Sequence, residues 1–264
     1  MCDHNFQQHT RREFVSTSAG AAAVMLGLRT NPANGLTSSE DESAAPRTNL
    51  DTAIHVARWI EASRIDTEKG VTWPADPTDP DSVGATLYSH SPGVVLFLTE
   101  LFHATGDAEH LESACAGVDH LLSEIDLDEV GAGLYTGAAG ILFCLLEAQR
   151  ASGRSDYEDA GRRIIEWLHD AAQESGSGIT WSPVTDMISG SAGTGLTLLY
   201  ANRTLSGSNS TPVAASAGRF LLDLARPEAD GLKWPMADEY PRLMPNFSHG
   251  TAGVAYFLAS LYEV

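Results

Sequence analysis

The sequence predicts an all-α protein of the α/α toroid type, in which a ring of inner helices is wrapped by a ring of outer ones. Three observations predict it. A short glycine-containing element recurs four times, an almost wholly apolar segment follows each copy, and a segment with one apolar stripe follows that. The copies are Leu87-Tyr88-Ser89-His90-Ser91-Pro92-Gly93-Val94, Gly133-Leu134-Tyr135-Thr136-Gly137-Ala138-Ala139-Gly140-Ile141, Ile188-Ser189-Gly190-Ser191-Ala192-Gly193 and Phe247-Ser248-His249-Gly250-Thr251-Ala252-Gly253-Val254. Their last glycines are separated by 47, 53 and 60 residues, the length of a helical hairpin with a growing loop.

The apolar segments, such as Val94 to Leu98 and Ile141 to Leu146, read as helices buried on every side and beginning near Gly93, Gly140, Gly193 and Gly253. Gly106, Gly153 and Gly207 then fall 13, 13 and 14 residues beyond the first three of these, where a helix ends on a left-handed glycine. Asp107, Ser155 and Thr211 are the expected N-caps of the outer helices, with Ser155 and Glu158 spaced as a capping box and Pro212 in the first turn. The stripes are Leu111, Ala114, Cys115, Val118, Leu121, Leu122 and Ile125 in one outer helix and Tyr157, Ala160, Ile164, Ile165, Leu168 and Ala172 in another. Between outer and inner helices, Gly70-Val71-Thr72-Trp73, Gly178-Ile179-Thr180-Trp181 and Gly231-Leu232-Lys233-Trp234 repeat a Gly, two residues, Trp pattern. These tryptophans are candidates for lining a ligand cleft at the rim, the alternative being that they anchor loops. The paired glycines either serve packing or let inner-helix N–H groups face a central cavity and favour an anion, which makes Gly190 and Gly250 candidate ligand-binding positions.

Composition bounds the function. The chain of 264 residues is 43% hydrophobic and 8% aromatic, enough for a sizeable core. Sixteen basic and thirty-five acidic residues give a net charge of −19, which argues against nucleic-acid and anionic-membrane partners. Cys2, Cys115 and Cys144 are an odd number with no CxxC spacing, so neither a disulfide framework nor a compact zinc site is indicated. Thr10-Arg11-Arg12-Glu13-Phe14-Val15 before the small, apolar run Ala19 to Leu28 has the layout of a twin-arginine export signal, too short to span a bilayer as a helix. Residues 1–45 are therefore expected to be signal peptide and linker, with cleavage candidates at Ala33-Asn34-Gly35 and Ser43-Ala44-Ala45, and the protein is expected in the periplasm or outside the cell. Residues 46–264 are the expected helical domain.

On these repeats the chain resembles the lanthionine synthetase C-like (LanC-like) family, whose toroid is built from GxxG-headed inner helices. Asp186, four residues before Gly190, and His249, immediately before Gly250, stand where the family carries an acidic residue and a histidine. The resemblance implies that both face the central cavity as acid/base groups. Read without it, Asp186 is an N-cap and His249 is bonded to loop carbonyls. The family's later Trp-Cys-Tyr-Gly and Cys-His-Gly motifs, which hold a zinc that activates a thiol, are absent from this sequence, so no metal ligands and no cofactor are assigned to the chain.

The resemblance implies an exported LanC-like protein, a fragment or remnant of an enzyme that adds thiols to unsaturated peptides or small electrophiles. Export argues against maturation of a peptide where that peptide is made. The alternatives are a six-hairpin type glycosidase, with carboxylates drawn from Asp76, Asp79, Asp81, Asp238 and Glu239, and a non-catalytic toroid that binds a peptide or glycan. Four hairpins with the fourth inner helix shorter than the others predict an incomplete toroid, truncated at the C-terminus, that self-associates or takes a second polypeptide to cover its apolar edges.

Overall fold

The computed structural model of the protein describes residues 48–264 apart from Asp230. The twin-arginine segment, both cleavage candidates and Cys2 lie outside the described residues. The helices are α1 (Asn49–Glu61), α2 (Ser91–Thr105), α3 (Ala108–Glu124), α4 (Leu127–Val130), α5 (Ala138–Ser152), α6 (Ser155–Asp170), α7 (Ser191–Thr204), α8 (Thr211–Asp223) and α9 (Thr251–Tyr262). Four antiparallel pairs of short strands join some of them: β1 (Ile65–Thr67) with β2 (Gly70–Thr72), β3 (Gln173–Ser175) with β4 (Gly178–Thr180), β5 (Arg226–Glu228) with β6 (Gly231–Lys233), and β7 (Pro235–Ala237) with β8 (Tyr240–Leu243). No helix among the described residues is long and apolar enough to cross a membrane.

The inner helices are α2, α5, α7 and α9, and each packs against the next in chain order. Outer helices α3, α6 and α8 fold back on α2, α5 and α7, and α1 packs on α2. The core lies between the two layers. In α5 every residue from Ala138 to Ala148 is buried, as its apolar sequence predicts, and each fully covered leucine there contributes about 2 kcal/mol. The run includes Glu147, whose carboxylate accepts from the Tyr200 hydroxyl, which in turn accepts from Arg150 Nη1 at 3.2 Å. The outer helices bury one face: Ala114, Gly117, Val118 and Leu121 in α3, and Tyr157, Ala160, Gly161, Ile164, Ile165 and Leu168 in α6.

Helix ends follow the sequence with small shifts. Asp107 caps α3 by accepting from Glu109 N at 3.1 Å, and Thr48 and Asp51 form a reciprocal capping box on α1. Ser155 and Thr211 are instead the first residues of their helices, one position inside the caps Arg154 and Ser210, so no Ser155–Glu158 capping box forms. Arg154 is drawn into that position by Asp119, 2.8 Å from its Nη1, which ties α6 to α3. Gly106 and Gly153 end α2 and α5 in the left-handed region, at φ 75° and 73°. Gly207 is also left-handed, but α7 has already stopped at Thr204, and the glycine serves the turn beyond.

The glycine pairs have a steric cause. The first glycine of each pair is the N-cap and the last is the third helical residue, so the inner helices begin two residues earlier than the last glycine suggests. A Cβ on Gly140, Gly193 or Gly253 would sit well inside van der Waals contact of the carbonyl oxygens of Leu134, Met187 and Phe247, each six residues upstream. The preceding loop therefore crosses the helix mouth at a distance only glycine permits. In the first repeat His90 takes the cap position, its ring held by Thr86 Oγ1 at 2.7 Å over Gly84.

Candidate functional site

The loops that cross the helix mouths are joined to one another. Tyr88 N donates to Tyr135 O (3.0 Å), Tyr135 N to Ile188 O (2.9 Å) and Met187 N to Ser248 O (3.1 Å), so four repeats present one continuous rim. Ser89, Thr136, Ser189 and His249 each lie four residues before the last glycine of their repeat and occupy equivalent places on it. Thr136 Oγ1 donates to Ser189 Oγ at 3.2 Å. These hydroxyls were legible in the sequence only as members of a register shared with His249, because a single Ser or Thr in a loop carries no signal of its own.

Asp186 and His249, 63 residues apart in sequence, meet on this rim. The His249 Nδ1–H donates to Asp186 Oδ2 at 2.6 Å. Asp186 is buried, and its Oδ1 accepts from the backbone N–H groups of Ile188 (3.0 Å), Ser189 (2.9 Å) and Gly190 (3.0 Å). Its loop role and its contact with the imidazole are therefore simultaneous: one oxygen closes the turn into α7 and the other orients the histidine. The His249 N–H donates to Asn246 Oδ1 at 3.0 Å, which fixes the backbone, and the side chain stays 30% exposed. With Nδ1 donating to the carboxylate, Nε2 is the ring's acceptor nitrogen. Such an imidazole can accept a proton at Nε2 and return it.

The other expected contacts of the site are corrected by the fold. Trp73 and Trp234 are core residues, 2% and 4% exposed, and do not line a cleft. Trp234 Nε1 donates to Leu221 O and Trp181 Nε1 to Leu168 O, both at 2.7 Å, which ties each indole to the outer helix thirteen residues earlier. Trp73 packs across Gly117 of α3, with no side chain between them. These are loop anchors, the commoner use of a tryptophan at such a place. The N–H groups at the inner-helix mouths do not face a cavity either. Ser191, Ala192 and Gly193 donate to the carbonyls of Val184, Thr185 and Asp186, and Ala138 and Ala139 to those of Gly131 and Ala132. Gly190 N is held by Asp186, and Gly250 is buried against Met244 O, so neither glycine is placed to hold an anion.

Among the described residues the donors do not fit the zinc that the family carries. Cys144 is fully buried inside α5, its thiol donates to Ile141 O, and burial pushes it up to about 12. Burial also raises the Cys115 thiol, on outer helix α3, and neither sulfur flanks an inner-helix mouth. Among the described residues no three His, Cys, Asp or Glu side chains converge as a metal would require. Of the loop carboxylates, Asp76 Oδ1 accepts from Thr78 N at 2.8 Å and Asp79 Oδ1 from Asp81 N at 3.1 Å, each closing its own turn.

A row of GxxG-headed inner helices, sheathed by outer helices and carrying an Asp–His pair on the rim of their mouths, defines a LanC-like toroid class of protein. Residues 81–264 match the family model of lanthionine synthetase C-like proteins, and the chain belongs to that family. No curated protein matches the chain.

Proposed function

We propose that the protein is an acid/base catalyst of thiol addition to an unsaturated peptide or small electrophile, with His249 as the proton-transfer group and Asp186 as its positioning partner. The observation that carries this reading is the 2.6 Å contact between His249 Nδ1 and a carboxylate pinned by three backbone N–H groups, which leaves Nε2 as the acceptor nitrogen of a side chain that is 30% exposed. In the addition, the thiol proton passes to His249 Nε2 as sulfur bonds to the terminal alkene carbon. The π pair moves to the carbon next to the carbonyl, and the imidazolium returns the proton there. Proton and electron pair balance with no co-reactant. In this reading Ser89, Thr136 and Ser189, in the same register on the rim, hold the peptide backbone.

The test incubates the full chain with a small thiol and a dehydroalanine peptide and follows the adduct by mass spectrometry. Adduct formation that His249→Ala and Asp186→Asn both slow at least tenfold supports the reading. Equal rates for all three proteins refute it. A second reading, a peptide binder without turnover, is favoured by the distance of both described cysteines from the rim. Saturable binding of the peptide with no adduct would select it.

The Arg11-Arg12 segment supports a further part of the proposal, export of the folded protein by the twin-arginine route. A reporter fused after residue 46 should leave the cytoplasm, and the Arg11→Lys, Arg12→Lys double substitution should retain it there.

A further inference from the structure

Two joints between outer helices are built differently. Between α3 and α6 the joint is filled. Tyr157 of α6 is wholly buried there, its hydroxyl donating to Cys115 O at 2.8 Å and to Asp119 Oδ1 at 2.9 Å, and Arg154 reaches the same carboxylate. Between α1 and α3 the joint is open. The Ser113 hydroxyl of α3 donates across it to Glu61 Oε2 of α1 at 3.3 Å, and both residues line a cavity of about 950 Å³. Its apolar lining is Ile54, Ala57, Val71 and Ala116.

Glu61 gives this cavity its chemistry. Its Oε2 accepts from Ser113 and, at 3.4 Å, from Arg64 Nη1. Its Oε1 is covered from solvent and has no donor among the described residues. A carboxylate oxygen in that state has given up water without a replacement, which is costly for a charged group. The side chain as a whole is 27% exposed, and its carboxylate ends a soft terminal torsion, so a small turn offers Oε1 to a donor in the cavity. The remaining charge has the same sign. Asp107, Glu109 and Glu112 also line the cavity, against Arg58 and an Arg64 already shared between Glu61 and Asp66.

We propose that the cavity between α1 and α3 is a binding site for an organic cation, an ammonium or guanidinium group carried on an apolar body. The cation pairs with the Glu61 carboxylate, and the body lies against Ala57, Val71 and Ala116. The filled joint holds the same combination within the chain: the Arg154 guanidinium, 4.0 Å from the centre of the Tyr157 ring, set against Asp119. In the open joint a ligand supplies what Arg154 and Tyr157 supply there. The cavity shares no residue with the Asp186–His249 pair, so the inference does not rest on the chemistry proposed for that pair.

Calorimetric titration of the full chain at neutral pH with three ligands of one shape tests this: phenylbutylamine, a cation, phenylbutanol, which is neutral, and phenylbutyrate, an anion. The amine is expected to bind saturably at a single site, and the alcohol and the acid about tenfold more weakly or worse. Glu61→Gln keeps the size of the side chain and an acceptor for Ser113. It should weaken the amine by about tenfold and leave the alcohol unchanged. Ser113→Tyr puts into the cavity the side chain that fills the other joint and should abolish binding with the circular dichroism intact; if that variant does not fold, Glu61→Gln decides alone. No saturable binding of the amine, equal binding of the acid, or an amine affinity that Glu61→Gln leaves unchanged would each overturn the inference. None of these outcomes bears on His249, which is read separately in the adduct assay.

Discussion

Asp186 holds three backbone N–H groups through Oδ1 and an imidazole through Oδ2, so its substitutions divide by which oxygen they spare. Asp186→Ala leaves all three donors unpaired in a buried turn and should cost about 3 kcal/mol, read as a lowered midpoint in urea. Asp186→Asn keeps an acceptor for the turn while its amide donates to Nδ1, which moves the imidazole proton to Nε2. The fold should survive this change. Imidazole nitrogen NMR should show His249 passing from the Nδ1–H to the Nε2–H tautomer, and an unchanged tautomer would show that the carboxylate does not set it. Cys144 gives a simpler prediction. Its thiol, fully buried and pushed up to about 12, should resist alkylation in the native protein and react only on unfolding, as followed by peptide mass spectrometry.

Among the elements, the mouth glycines and the stop glycines are required for different reasons. Gly140→Ala drives a methyl into the Leu134 carbonyl, a backbone atom that cannot move without displacing the loop, and should destabilise by about 3 kcal/mol. Gly153→Ala meets nothing within 4 Å and suffers only the left-handed φ of 73°, about 1 kcal/mol. Calorimetry on the pair should rank them in that order, and the reverse ranking would refute the steric account of the glycine repeat. His169, near the end of α6, gives the pH dependence. Burial depresses its pKa below the ordinary imidazole value, opposed by nearby Asp170 and Glu166, and its Nε2 lies 3.2 Å from Ser210 Oγ at the start of α8. The unfolded chain therefore binds the proton more tightly than the folded one. Stability from this residue is complete above the unfolded value, about 6.5, and is lost as the pH falls below it. His169→Gln should flatten that part of the stability profile.

The whole molecule carries a net charge of −19, and this self-repulsion opposes the compact state. Added salt shortens the range of the repulsion to about 10 Å at 0.1 M. The thermal midpoint should therefore rise from 50 to 500 mM salt in calorimetry. A falling midpoint over that range would mean that ion pairs such as Arg154–Asp119 outweigh the repulsion.

The helical fold was legible because its signals are local. All-round apolarity marks inner helices, a single stripe marks outer ones, and glycines recur at fixed distances from both; these survive in one dimension because the 3.6-residue period and the left-handed C-cap are properties of the chain itself. The register also placed Asp186 and His249 at neighbouring mouths. What it could not decide was which partner each polar group would take. Trp73 and Trp234, read as candidates for a cleft, are buried, Trp181 is half-buried with its indole tied to the Leu168 carbonyl, and the helix-mouth N–H groups, read as an anion site, are held by the loops that cross them. The short strand pairs were missed because three-residue strands carry too little pattern to rise above turn chemistry. Packing settles these matters, since a side chain is buried, or a donor satisfied, by residues tens of positions away whose arrival only the folded chain determines. The 2.6 Å contact that turns a loop aspartate and a loop histidine into one chemical unit joins positions 63 residues apart, and it exists because two glycine-headed helices stand side by side.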